Sequence, residues 1–276
     1  MRKHRNRNYA RAALALVFVA LIGTAFAAGA PIAAAPVSSP EATLQPAPEA
    51  TPEATLAPAP VSSPEATLQP APEPAPEPER RVDPDQKMIA LTFDDGPGPG
   101  TRRILNALDA VGGRATFFMV GNRVADYAET ARMVAAQGSE IATHSYAHPN
   151  LTKLSGAQLE RELTRGVEAI EQVTGVSPSV LRPPYGSVND DVRRASGELG
   201  LRVVNWNVDP EDWRVRDADE VYRRIMRDAR DGAIVVCHDL YKETAAAIES
   251  AASDLAAQGY QLVTVSEMLT AKAARA

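Results

Sequence analysis

Met88-Ile89-Ala90-Leu91-Thr92-Phe93-Asp94-Asp95-Gly96-Pro97 is the stretch on which the fold turns. A short apolar run stopped by a Gly-Pro turn predicts a buried strand that delivers two adjacent carboxylates to its C-terminal edge. Neighbouring side chains on a strand point to opposite faces. At a frayed strand end both can turn toward one pocket and take different work, one on a metal and one as a base. The competing reading of these residues alone is a strand-to-loop corner whose Asp side chains cap backbone amides.

Downstream, apolar β-rich runs alternate with helical patterns. Strands are expected over 88–93, 115–120, 140–143, 180–182, 201–206, 233–237 and 261–265, with helices over 101–111, 124–137, 155–174, 189–199, 217–229 and 244–258. Ser155 with Gln158, and Asp217 with Glu220, have the spacing of capping boxes. Repeated β-α units predict an α/β fold with a parallel sheet, curled into a distorted (β/α)7 barrel because closure leaves the fewest exposed edges. Such sheets carry their chemistry at the strand C-termini. Every unusual polar cluster in the chain falls there.

Upstream the texture differs. Of 276 residues, 22 are Pro, concentrated before residue 85. Residues 1–11 carry Arg2, Lys3, Arg5, Arg7 and Arg11, and Ala12 to Ala35 holds no charge. A basic segment followed by an apolar one is an export signal, expected over 1–27 with Ala25-Phe26-Ala27 as a cleavage site; an uncleaved membrane anchor is the alternative. Either way the positive-inside rule places the rest outside the cytoplasm: extracellular, periplasmic or in the wall. Residues 28–82 form a Pro/Ala/Glu-rich linker in which Ala35–Glu49 recurs unchanged as Ala59–Glu73. So polar a repeat cannot bury enough surface to fold, and a polyproline-like spacer of this kind reaches roughly 3 Å per residue. The catalytic domain is expected over 83–276. Cys237 is the only cysteine, which excludes an internal disulfide, so the domain must rest on a hydrophobic core. A net charge of −6 with no basic cluster after the signal argues against nucleic acid as a partner.

Four clusters lie at the expected strand ends. His144 and His148 stand four residues apart in His144-Ser145-Tyr146-Ala147-His148, where one turn would bring both imidazoles to one face. Two His with one carboxylate leave open positions for water, as a catalytic metal site requires. Asp95, His144 and His148 are therefore the expected ligands, with Zn2+ the first expectation and Co2+, Ni2+ and Fe2+ compatible with the same donors. Arg182-Pro183-Pro184-Tyr185-Gly186 is a stiff turn that can hold the Tyr185 amide in one orientation, half of an oxyanion site; an ordinary rigid turn is the alternative. In Asp209-Pro210-Glu211-Asp212-Trp213 an indole beside acids suits stacking on a sugar face, although core burial is the commoner fate of Trp. His238 leaves an apolar run at the same rim, and Cys237 alternates to the opposite face as core.

In order and spacing these blocks resemble the polysaccharide deacetylases of the NodB-homology type, carbohydrate esterase family 4. The likeness covers about residues 86–270. Thr92-Phe93-Asp94-Asp95-Gly96-Pro97 and His144-Ser145-x-x-His148 match in full; Arg182, Pro184 and Tyr185 match the third motif, and Asp209, Asp212 and Trp213 the fourth. In the fifth, Leu-x-His, Val236 replaces Leu, a change in the apolar wall of the acetyl pocket. The resemblance implies that Asp94 is the catalytic base, tuned by Arg182, and that His238 is the acid, tuned by Asp212. It further implies that Tyr185 supplies an amide to the oxyanion, with Trp213, Pro184 and Tyr185 against the sugar. The implied reaction is metal-dependent removal of N-acetyl groups, with peptidoglycan N-acetylglucosamine the expected substrate. Chitooligosaccharides, an exopolysaccharide and acetylxylan are alternatives, as is a non-catalytic protein that tethers glycan to the wall.

Overall fold

A computed structural model describes residues 80–275. The expected export signal, and the linker up to residue 79, lie outside the described residues. Among the described residues, contacts with the domain are already made at Arg80, ahead of the expected boundary at residue 83. Arg80 Nη2 donates to Leu262 O at 2.6 Å, and Val82 packs beside Met88 and Met268.

The described elements run in the order β1 (Met88–Gly96), α1 (Thr101–Asp109), β2 (Thr116–Met119), α2 (Gly121–Val124), α3 (Ala128–Gln137) and β3 (Glu140–Thr143). Then follow α4 (Gly156–Thr174), β4 (Val180–Leu181), α5 (Asp190–Glu198), β5 (Arg202–Val203) and α6 (Asp212–Val215). The chain ends with α7 (Ala218–Asp228), β6 (Ala233–His238), α8 (Lys242–Ala257), β7 (Gln261–Leu262) and α9 (Val265–Arg275). All seven strands are parallel. They lie in the order β5-β4-β3-β2-β1-β6, with β7 paired to the start of β1. β5 and β6 share no ladder; the segment after β5 reaches β6 through a single bridge, Val208 to Val235.

β1 is the axis because both of its faces are covered, as parallel sheets require. Ile89, Leu91 and Phe93 join the main apolar cluster with Ile104, Leu108 and Ile248 of the flanking helices. Met88 and Ala90 face the other way, onto Val263, Val265 and Met268. Thr92 and Asp94 continue that inner face. β6 alternates in the same sense, and Cys237 sits in the outer cluster as expected.

Several helices differ from expectation. The helix expected over 124–137 is two, α2 and α3, separated by residues 125–127. The strand expected over 201–206 shrinks to Arg202–Val203, because the chain turns away to reach β6 and places Trp206 on a cavity wall. α4 opens with the expected box, Gln158 Oε1 accepting from Ser155 N at 3.0 Å. α7 keeps half of its box. Asp217 Oδ1 accepts from Glu220 N at 2.8 Å, but the Glu220 carboxylate pairs with Arg224 at 2.7 Å instead of returning to the cap. α9 continues past the last expected strand and closes the inner apolar cluster.

Candidate active site

The end of β1 carries an irregularity that sets the site. Asp94 pairs with Phe118 of β2 and Gly96 with Met119, so Asp95 is an extra residue with no partner. Its φ is 69°. A bulge of this kind re-aims a side chain, and here it turns Asp95 toward the side already occupied by Asp94. Adjacent carboxylates that a regular strand would send to opposite faces thus reach one pocket. Asp94 is held from below by Arg182, whose Nη1 lies 2.7 Å from Asp94 Oδ1 and 2.7 Å from Thr92 Oγ1. Arg182 is fully buried, with its guanidinium 4.0 Å from the Phe118 ring centroid. Burial pulls the Arg182 pKa below its ordinary value, opposed by the charge and hydrogen bond of Asp94.

Asp95, His144 and His148 offer donor atoms that all lie within 4.8 Å of one another. His148 Nε2 is 3.1 Å and His144 Nε2 3.6 Å from Asp95 Oδ1, a buried oxygen with no hydrogen-bond partner. His144 Nδ1 meets the Arg182 carbonyl at 2.6 Å; a carbonyl only accepts, so Nδ1 carries the proton and Nε2 presents its lone pair to the pocket. Burial holds the His144 imidazole below its usual pKa, against the pull of Asp94 and Asp95, and so in the neutral form a metal needs. The loop bearing both histidines is fixed by Glu162 of α4, which accepts from Tyr146 N at 2.9 Å, and by Ser145 Oγ, which accepts from His148 N at 3.0 Å. An orphaned buried carboxylate oxygen beside two oriented imidazoles fits a divalent cation, and the donor set leaves room for water.

Across the same cavity stands His238, which pairs in register with Asp94 on the adjacent strand. Asp212 Oδ1 lies 2.8 Å from His238 Nδ1, while Asp212 Oδ2 accepts from His238 N at 2.8 Å and from Thr244 Oγ1 at 2.7 Å. Burial lowers the imidazole pKa, but the Asp212 hydrogen bond and charge, with Asp94 and Asp95, outweigh it and raise His238 to about 9. The cavity enclosed is about 510 Å3. Asp94, Asp95, His144, His148, Tyr185 and Trp213 are among its walls. Trp213 is 51% exposed and lines the cavity, so its indole is not part of the core. Tyr185 is 66% exposed, with φ 61° and its ring edge-on to His148 at 4.8 Å. Arg182 and Asp212 are buried behind the groups they touch. Pro184, expected against the sugar, is buried and is not among the residues that line the cavity.

Three residues of the site lie outside the expected motifs: Trp206 and Tyr241 line the cavity, and Thr244 donates to Asp212. Thr92 lies in the first motif without an assigned role, and it accepts from Arg182. Asp239 is a fourth residue outside the motifs, buried beneath the β1 turn. It hydrogen-bonds Thr101 through its side chain and accepts from Gly100 N at 2.8 Å through its carbonyl. Burial pushes its carboxyl up to about 7.

Residues 81–204 match the family model described as polysaccharide deacetylase. The chain is 42% identical over 198 residues to peptidoglycan-N-acetylmuramic acid deacetylase PdaC of Bacillus subtilis, covering 71% of this chain and 42% of that protein. It is 35% identical to a peptidoglycan-N-acetylglucosamine deacetylase of Bacillus cereus, covering 68% of this chain and 91% of the relative. The solved structure of PdaC superposes with a TM-score of 0.67, over 70% of this chain and 95% of that one. The chain spans less than half the length of full-length PdaC.

Proposed function

The chain belongs to the polysaccharide deacetylase family, carbohydrate esterase family 4, and from that premise we propose that it hydrolyses N-acetyl groups of a wall polysaccharide, releasing acetate. Peptidoglycan is the substrate favoured, at its N-acetylglucosamine. The names of both relatives and the expected export signal support peptidoglycan; the Bacillus cereus relative is named for N-acetylglucosamine and PdaC for N-acetylmuramic acid. We read the sheet as a distorted (β/α)7 barrel, with Val208 as the link that curls it, and the protein as acting outside the cytoplasm.

The observation that carries the reading is the pairing of Asp94 with His238 on neighbouring strands, in one cavity with the Asp95–His144–His148 donors. The chemistry a divalent cation supplies in such a seat, Zn2+ in our reading, is polarisation of the acetamide carbonyl and acidification of water. Asp94, held by Arg182 through a hydrogen bond of 2.7 Å, accepts the proton of the attacking water. The Tyr185 N–H donates to the carbonyl oxygen as it gains charge. His238, protonated through Asp212, gives its proton to the sugar nitrogen as the C–N bond breaks. Acetate and a free amine leave, and Val236 forms part of the wall against the acetyl methyl. Trp213 and Tyr185 flank the sugar ring.

The test offers the purified chain intact peptidoglycan, chitooligomers and acetylxylan in parallel, with acetate measured and new amines located by mass spectrometry. Asp94→Asn and His238→Ala should each lower turnover by about 10²–10⁴-fold, the range for losing a general base or acid. Near wild-type acetate release from either variant would overturn the reading. Glycan binding without turnover by the wild type would make it a tether.

A further inference from the structure

The Asp95–His148 ridge has a second side. A shallower cavity of about 260 Å3 shares these two residues with the main one and is otherwise lined by Val120, Asn122, Arg123, Ala147 and Leu240. Arg123 is its one cation. The Arg123 Nε is buried and has no hydrogen-bond partner. No carboxylate among the described residues lies within ion-pair distance of its guanidinium, and unlike the outward-facing unpaired arginines it lines a cavity with a buried, unpartnered Nε. The Tyr127 ring, 5.5 Å from the guanidinium carbon, backs it. Asp95, the only anion in this wall, is committed to the metal seat, so a bound cation would offset its charge. An arginine with unspent donors, in a cavity that shares Asp95 and His148 with the main one, is suited to planar bidentate recognition of a carboxylate.

We propose that Arg123 forms a carboxylate-binding subsite for the residue neighbouring the deacetylated sugar, making the groove selective for acid-bearing glycan over neutral N-acetylglucosamine polymers. This rests on the deacetylase reading and names its substrate class. In peptidoglycan the alternate sugar bears a lactyl ether that ends in a carboxylate or in an acidic peptide stem, and either source presents the same anion. The polar Asn122 amide beside Arg123 is exposed and can share the second oxygen. The rival role for Arg123 is an internal countercharge, since its field also reaches buried Asp239.

The experiment measures kcat/KM of wild type, Arg123→Gln and Arg123→Lys on three substrates: chitooligomer, glycan with stems removed, and glycan carrying stems. Loss of a charge-assisted bidentate pair should cost Arg123→Gln about tenfold on at least one acid-bearing glycan, mainly in KM, with chitooligomer turnover unchanged. Arg123→Lys should recover part of the loss. The glycan that suffers identifies the source of the carboxylate. An equal loss on all three substrates, or a fall in melting temperature without a change in preference, assigns Arg123 to the scaffold and overturns the subsite. No change on any substrate also overturns it. Wild type inactive on all three defeats the deacetylase reading itself, a separate result from lost selectivity. As a check needing no variant, amidating the glycan carboxylates should lower wild-type kcat/KM by a similar factor.

Discussion

Burial by itself would strip the proton from His238; the Asp212 carboxylate reverses that and carries the imidazole to about 9. The protonated form therefore stabilises the fold fully below the ordinary pKa of 6.5, and that contribution disappears as pH rises through about 9. The same group, the acid in the proposed reaction, should set the alkaline limb of the pH–rate profile. Asp212→Asn removes the charge that favours the imidazolium, so the limb should move to lower pH by at least about one unit. An unmoved limb would remove His238 from the acid role. Arg182 and Asp94 form a pair buried on both sides. Arg182→Met should cost about 3–5 kcal/mol, because truncating one partner leaves the other charge buried and uncompensated. Urea denaturation measures it directly. Strain also gathers here: Asp95, Ser145, His148 and Tyr185 all adopt positive φ without being glycine. Each such residue costs of order 1–3 kcal/mol, tolerated where the surroundings over-determine it.

At the scale of elements, the β1 bulge and the approach of α4 to the histidine loop do the positioning. Gly166 of α4 lies so close to that loop that a Cβ there would sit 2.9 Å from the Ser145 carbonyl carbon. Helix propensity favours Ala over Gly by about 1 kcal/mol, whereas overpacking against backbone costs about 1–3 kcal/mol. The second effect wins, so Gly166→Ala should lower the melting temperature and weaken Zn2+ uptake by displacing His144 and His148. A stabilised variant with unchanged metal affinity would show that α4 does not hold the loop. β1, β3 and β6 were legible because their apolar runs are short and bounded by turn residues. The bulge at Asp95 was foreseen only as a fraying end. Trp206 reads as strand because it follows the apolar run Val203-Val204, whereas the chain leaves the sheet after Val203 to bridge Val208 with Val235.

For the whole molecule, metal and fold should be linked. A cation that binds only the folded chain stabilises it in proportion to its occupancy, so chelation should lower the melting temperature as well as abolish acetate release. Returning Zn2+ should restore both. In Asp94→Asn the thermal response should survive although activity does not, because Asp94 is not among the donors. A fragment beginning at Arg80 should melt with the full chain. One beginning at Asp83 loses the Arg80–Leu262 bond, about 1 kcal/mol, and should melt about 2–4 °C lower.

Residue types and their spacing along the chain determined the α/β class and marked Asp95, His144 and His148 as candidate donors, because motif chemistry is local and strand ends are marked by turns; the acid–base roles of Asp94 and His238 entered through the resemblance of the motifs. The tertiary structure alone decided what lies between them. It supplied the register that sets Asp94 beside His238, the bulge that swings Asp95 to the same side, the burial of Pro184, and the walls made by Trp206 and Tyr241. Those depend on contacts between residues far apart in the chain, where packing geometry chooses among positions that local pattern leaves equivalent.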